Sequence, residues 1–161
     1  MSSKLSFSAV YQEYKRFPPL HFRETGPDYH DTCAVRLADA ITRVQSDFFA
    51  SAKIKTWPEK TPTGHYVPSA DPKAGLKFEP APAKRDLPIR AGEIKDYLNG
   101  HFRLGQLITS ANDISGQRGI ICFDHIPGYA GTGHISLWDG HCVVDGGEYW
   151  DSFRVWFWPV P

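Results

Sequence analysis

The chain has 161 residues, with 18 Lys and Arg set against 18 Asp and Glu for a formal net charge of zero. It therefore carries no global field that would draw it to nucleic acid or an anionic membrane. The length suits one domain, spanning 1–161, with a sizeable core. No apolar run approaches a membrane span, and residues 1–7 lack the apolar core of a signal peptide, which predicts synthesis in the cytoplasm.

Phe7, Val10, Tyr11 and Tyr14 recur at i, i+3, i+4 and i+7, which predicts a short N-terminal helix ending before Pro18-Pro19. Ala34, Leu37, Ala38, Ile41 and Val44 repeat the helical spacing, with Arg36, Asp39 and Arg43 mostly on the other side. This second helix is expected to reach about Phe48 or Phe49. Asp31 or Thr32 is a natural N-cap, which leaves Cys33 in the first turn. There the unsatisfied amides and helix dipole favour a thiolate. A buried structural thiol is the competing reading of Cys33.

Seven of the 13 prolines fall between Pro58 and Pro88, so 57–88 is expected to be a long loop without regular structure. It is either a surface loop or one wall of a cleft. Residues 90–99 read as a third helix closed by Gly100 at C′, followed by a polar loop at 112–116. Strands are expected at 118–123, 133–138, 141–145 and 153–158. Helices first and antiparallel strands after make an α+β order, without internal repeat or linker.

The run Gly-His-Ile-Ser-Leu-Trp-Asp-Gly-His-Cys-Val-Val-Asp at 133–145 carries the chemistry. Asp-Gly between alternating apolar runs favours a two-residue type I′ turn. With Asp139 and Gly140 as that turn, Trp138 faces His141 and His134 faces Asp145. Cross-strand partners have Cβ atoms about 4.5 to 5.5 Å apart, so the carboxylate reaches an imidazole nitrogen. His134 and Asp145 then form an oriented base, and with Cys33 they supply the three parts that cysteine-based acyl transfer needs.

Other groupings are weaker. His125, His134 and His141 with Asp145 would be zinc ligands only if one ion could span the hairpin. The His141 and Asp145 positions are roughly 13 Å apart along a strand, too far for that. No metal and no cofactor is expected. Asp139 belongs to the turn and points away from the imidazole. His21, His30, His65 and His101 have no evident partner and read as surface residues. Cys122 and Cys142 are both expected to face the core, and a disulfide would join them if their strands are adjacent. In the aromatic run at 149–158, alternation puts Phe153, Val155 and Phe157 on one face and Trp156 and Trp158 on the other, either as core on both sides or as a ligand platform.

Three segments, Asp-Thr-Cys-Ala-Val-Arg at 31–36, Leu-Pro-Ile-Arg-Ala-Gly-Glu-Ile at 87–94 and Gly-Thr-Gly-His-Ile-Ser-Leu-Trp-Asp-Gly at 131–140, resemble the type VI secretion amidase effectors, family four. The resemblance implies a papain-like, NlpC-type cysteine peptidase fold with N-terminal helices on an antiparallel sheet. It also implies cleavage of peptidoglycan stem peptides between γ-D-glutamate and meso-diaminopimelate. Matched residue by residue, it makes Cys33 the nucleophile, His134 the base and Asp145 the orienting acid. Ser136 departs from the acidic residue expected between the histidine and Leu-Trp. The resemblance further implies export by the type VI secretion apparatus, action in a target cell's periplasm, and a cognate immunity protein as partner. Two rivals remain at this stage: a noncatalytic wall- or sugar-binding module that uses the C-terminal aromatics, and a papain-like hydrolase of another amide.

Overall fold

A computed structural model describes residues 5–15, 33–49, 64–68, 76–80, 88, 90–131 and 133–161. Helix α1 spans Phe7–Lys15 and helix α2 spans Cys33–Val44. The apolar stripe expected from the sequence faces inward on both: Phe7, Val10 and Tyr14 are buried on α1, and Leu37, Ala38 and Ile41 on α2. α2 stops at Val44 rather than continuing to Phe49, and a tight turn at 46–49 buries Phe48 and Phe49 against the helices. The expected N-cap, Asp31 or Thr32, lies outside the described residues.

The proline-rich segment is not wholly irregular. Strands β1 (Gly64–Pro68) and β2 (Leu76–Pro80) pair antiparallel as a two-stranded sheet. Pro68 and Pro80 sit at strand ends, where a missing N–H costs least. The third helix, α3, spans Ala91–Tyr97 and then widens into a π-helical turn at Leu98–Phe102. Gly100 is therefore inside this turn and is not a C′ residue, contrary to expectation. The Asn99 amide oxygen accepts from Gly105 N at 2.8 Å and Trp158 Nε1 at 3.0 Å, which fixes the exit of the turn against the sheet.

The main sheet has four antiparallel strands in the order β3-β6-β4-β5. They are β3 (Gln106–Ile108), β4 (Gly119–Asp124), β5 (Gly133–Trp138) and β6 (Arg154–Pro159). Between β3 and β4, the expected polar loop holds a single 3-10 turn, Ala111–Ile114. Each sheet face is packed. Ile120, Cys122, Ile135, Leu137 and Trp158 join the helices in one core cluster. Ile121, Phe123, Trp138, Val155 and Phe157 form a second, covered by Ile114, Val143 and Trp150. Phe157 and Trp158 of β6 are thus core on opposite faces, with Trp156 partly buried beside Trp158, an arrangement of packing rather than of a ligand platform, while Phe153 just before the strand is 72% exposed.

The predicted hairpin is different. β5 pairs along its length with β4, His134 lying opposite Phe123, and 141–145 is not a strand. One bridge, Trp138 to Val143, closes a four-residue turn, supported by Val144 N donating to Leu137 O at 2.9 Å. The cause is local. Asp139 Oδ1 accepts from both His141 N (2.8 Å) and Cys142 N (2.9 Å), a side-chain turn that competes with the type I′ geometry. It also leaves Cys142 exposed rather than core-facing, and Cys122 and Cys142 are not bridged. The pairing slips by two residues, an even number, so the faces are kept.

Candidate active site

α2, which begins at Cys33, packs against β5, the edge strand that bears His134. His134 follows Gly133, whose φ is +131° and where an added Cβ would stand 2.2 Å from Phe123 O. Only glycine permits that close approach of β5 to β4 at this point. The imidazole is packed by aromatic rings, stacked on Phe123 with centroids 6.4 Å apart and edge-on to Tyr149 at 5.5 Å.

Despite the altered turn, Asp145 reaches the histidine. Beyond Val143 the chain bends, with Gly146 N donating to Val143 O at 3.0 Å, and the bend delivers Asp145 Oδ2 to within 2.8 Å of His134 Nε2. The oxygen lies off the N–H axis, so this is a close contact and not an aligned hydrogen bond. Gly147 N donates to Asp145 Oδ1 at 2.9 Å. Gly147 sits where the slipped register would put the partner of His134, and a Cβ there would be 2.7 Å from Nε2. Burial alone would raise the Asp145 carboxyl. His134, the Gly147 amide and Ser136 outweigh it and hold the group below the ordinary carboxylate value.

Behind Asp145 lies a buried polar layer. Tyr14 Oη is 2.9 Å from Ser136 Oγ and 3.3 Å from Asp145 Oδ2. Arg36 stacks its guanidinium 3.8 Å from the Tyr14 ring centroid and donates twice to Tyr14 O, at 3.2 and 3.1 Å. Burial first, then the charge of Asp145, push the Tyr14 phenol up, and Cys33 adds to this effect. Cys33 is therefore within electrostatic reach of the phenol that touches Asp145. In front of the imidazole, a cavity of about 420 Å³ is lined by His134, Tyr149, Gly133 and the loop residues Ile126, Pro127, Gly128 and Tyr129.

His134 and Asp145 are thus in contact, and Cys33 begins the helix that packs on the strand bearing His134. Asp139 serves its turn, as expected, and His125 pairs instead with Asp124 at 2.8 Å. His21 and His30 lie outside the described residues, and His65 falls on β1. Sequence reasoning missed Tyr14 and Arg36, which it read as ordinary helix positions, and Gly147. The Gly146-Gly147 doublet directly after the acid was the available signal for the latter.

A cysteine at the head of a helix laid on a sheet that bears the histidine, with the acid in the bend beyond, is the papain-like, NlpC-type arrangement. Solved structures with this fold match the whole chain. The effector Tae4 from Enterobacter cloacae superposes with a TM-score of 0.61 at 16% identity, covering 100% of both chains. The Tae4–Tai4 effector–immunity complex from Enterobacter cloacae gives 0.61 at 14%, covering 99% of this chain and 100% of that one. The corresponding complex from Salmonella Typhimurium gives 0.60 at 15%, with the same coverage. Among curated proteins, none matches the sequence. The family model of type VI secretion system amidase effector protein 4 matches residues 29–158, and the chain belongs to that family. It is an amidase effector of type VI secretion, and no helix among its described residues is long and apolar enough to cross a membrane.

Proposed function

We propose that the chain cleaves the γ-D-glutamyl to meso-diaminopimelate bond of peptidoglycan stem peptides through a thioester on Cys33. The carrying observation is the 2.8 Å contact of His134 Nε2 with Asp145. It leaves Nδ1 as the nitrogen for the thiol, beside a cavity open to substrate. His134 takes the thiol proton, and the Cys33 thiolate attacks the γ-glutamyl carbonyl to give a tetrahedral oxyanion. The Cys33 backbone N–H, at the helix start, faces that oxyanion.

Collapse of the intermediate breaks the C–N bond while protonated His134 gives its proton to the departing diaminopimelate amine. Water then gives a proton to the same imidazole and attacks the thioester. The products are a free glutamyl carboxylate and the regenerated thiol. Asp145 keeps the ring in one tautomer and stabilises the imidazolium. Its off-axis approach fits a resting site, since such bonds tighten when substrate is bound. One domain suffices for this reaction.

The effector would be exported by the type VI apparatus, act in the target cell's periplasm, and be blocked in the producer by an immunity protein. Similar effectors form complexes with Tai4, which supports that last point. Tandem mass spectrometry of purified sacculi incubated with the protein tests the bond. New γ-D-glutamyl carboxyl ends paired with free diaminopimelate amines are expected, and products cut at any other amide contradict the assignment.

A further inference from the structure

Tyr14 lies on α1, upstream of the family match at 29–158, and 131 residues in sequence from the acid it touches. It is fully buried, yet its hydroxyl points at the catalytic end of the molecule rather than into apolar core. Phenylalanine would fill the same space without needing a partner. The surroundings are arranged around the phenol. Ser136 Oγ lies 2.9 Å from Oη, and Oη donates to Asp145 Oδ2 at 3.3 Å. Arg36, one turn after Cys33 on α2, locks the same residue from the other side through its backbone carbonyl and its ring. Asp145 Oδ1 is held separately by Gly147 N.

We propose that Tyr14 is a positioning residue of the amidase reaction: its phenol holds Asp145 Oδ2 against His134, so that helix α1 completes the active site. This rests on the Cys33, His134 and Asp145 reading given above. One donor on each oxygen, Tyr14 on Oδ2 and Gly147 on Oδ1, leaves the carboxylate little rotational freedom while Oδ2 stays in contact with His134. The phenol stays protonated, because burial and the neighbouring carboxylate both oppose its ionisation, so the donor is present throughout the working pH range.

Tyr14→Phe keeps the ring and the Arg36 stack and removes only the hydroxyl. We expect kcat on a muropeptide substrate to fall about tenfold, as loss of a hydrogen bond to a charged group does, with KM unchanged. In an Asp145→Asn background the same substitution should cost nothing further, because its effect runs through the carboxylate. A structural role would instead lower both backgrounds equally. Should Tyr14→Phe not fold, 4-fluorophenylalanine placed at position 14 fills the hydroxyl's space without a donor and should give the same pattern. Wild-type kcat in Tyr14→Phe, or an equal loss in the Asp145→Asn background, overturns the positioning role alone. Full activity in Asp145→Asn by itself overturns the triad reading, and the proposal with it.

Discussion

At the scale of single residues, two aspartates near one turn have separate tasks set by what donates to them. Asp139 is occupied by the backbone N–H groups of His141 and Cys142, whereas Asp145 spends one oxygen on His134 and Tyr14 and the other on Gly147. Asp145→Asn should lower the rate of stem-peptide cleavage by roughly 10² to 10⁴, by analogy with other triads. Asp139→Ala should change that rate less than tenfold, with its main effect on the turn. The two rates measured side by side decide the matter, since a larger loss from Asp139→Ala would exchange their roles. The carboxyl of Asp145 is held below its ordinary value of 3.8, so its stabilising contacts are fully present above that pH and are lost as pH falls through the lower folded value. Urea midpoints of the protein and of Asp145→Asn should therefore differ most above the ordinary carboxylate value and converge as pH falls through the lower folded value.

At the scale of elements, the site depends on how β5 is flanked. β4 on one side admits His134 only through Gly133, and the bend after Val143 on the other brings Gly147 against the imidazole. A methyl at 147 would press on His134 Nε2, a side-chain atom that can swing away. Gly147→Ala should therefore cost little in thermal stability but lower kcat by at least tenfold. Paired melting and rate measurements check this, and an unchanged rate would mean that the ring is not held there.

The same stretch shows how far local sequence reaches. The helical stripe of α2 and the bounds of β5 were legible because each is a periodic pattern against a packed face. The pairing of His134 with Asp145 was legible as well, although the two-residue turn used to argue it does not form. The two-residue slip keeps the face, and the bend restores the reach. The side-chain turn of Asp139 was not legible, because Asp-Gly serves a type I′ turn and an Asp-capped loop alike. Tyr14 and Arg36 were not legible as site residues either, since their contacts cross the fold: Tyr14 lies 122 positions from Ser136. Nothing near either residue in sequence marks it as more than a helix position.

At the scale of the whole molecule, the sheet is packed on both faces, with the described α-helices against one of them and β5 at its edge. The three cysteines are sorted by this arrangement. Burial pushes the Cys122 thiol up within the core, and desolvation together with the Asp139 carboxylate raises the exposed Cys142 thiol. Neither is suited to react as a thiolate at neutral pH. Cys33, half-buried at the head of α2, is the remaining candidate. The direct measurement is a time course with iodoacetamide at about pH 7, following each cysteine by peptide mapping and residual peptidoglycan cleavage in the same samples. Cys33 should be modified first, with activity falling in step and Cys142 lagging. Complete modification of Cys33 with cleavage retained would contradict the account.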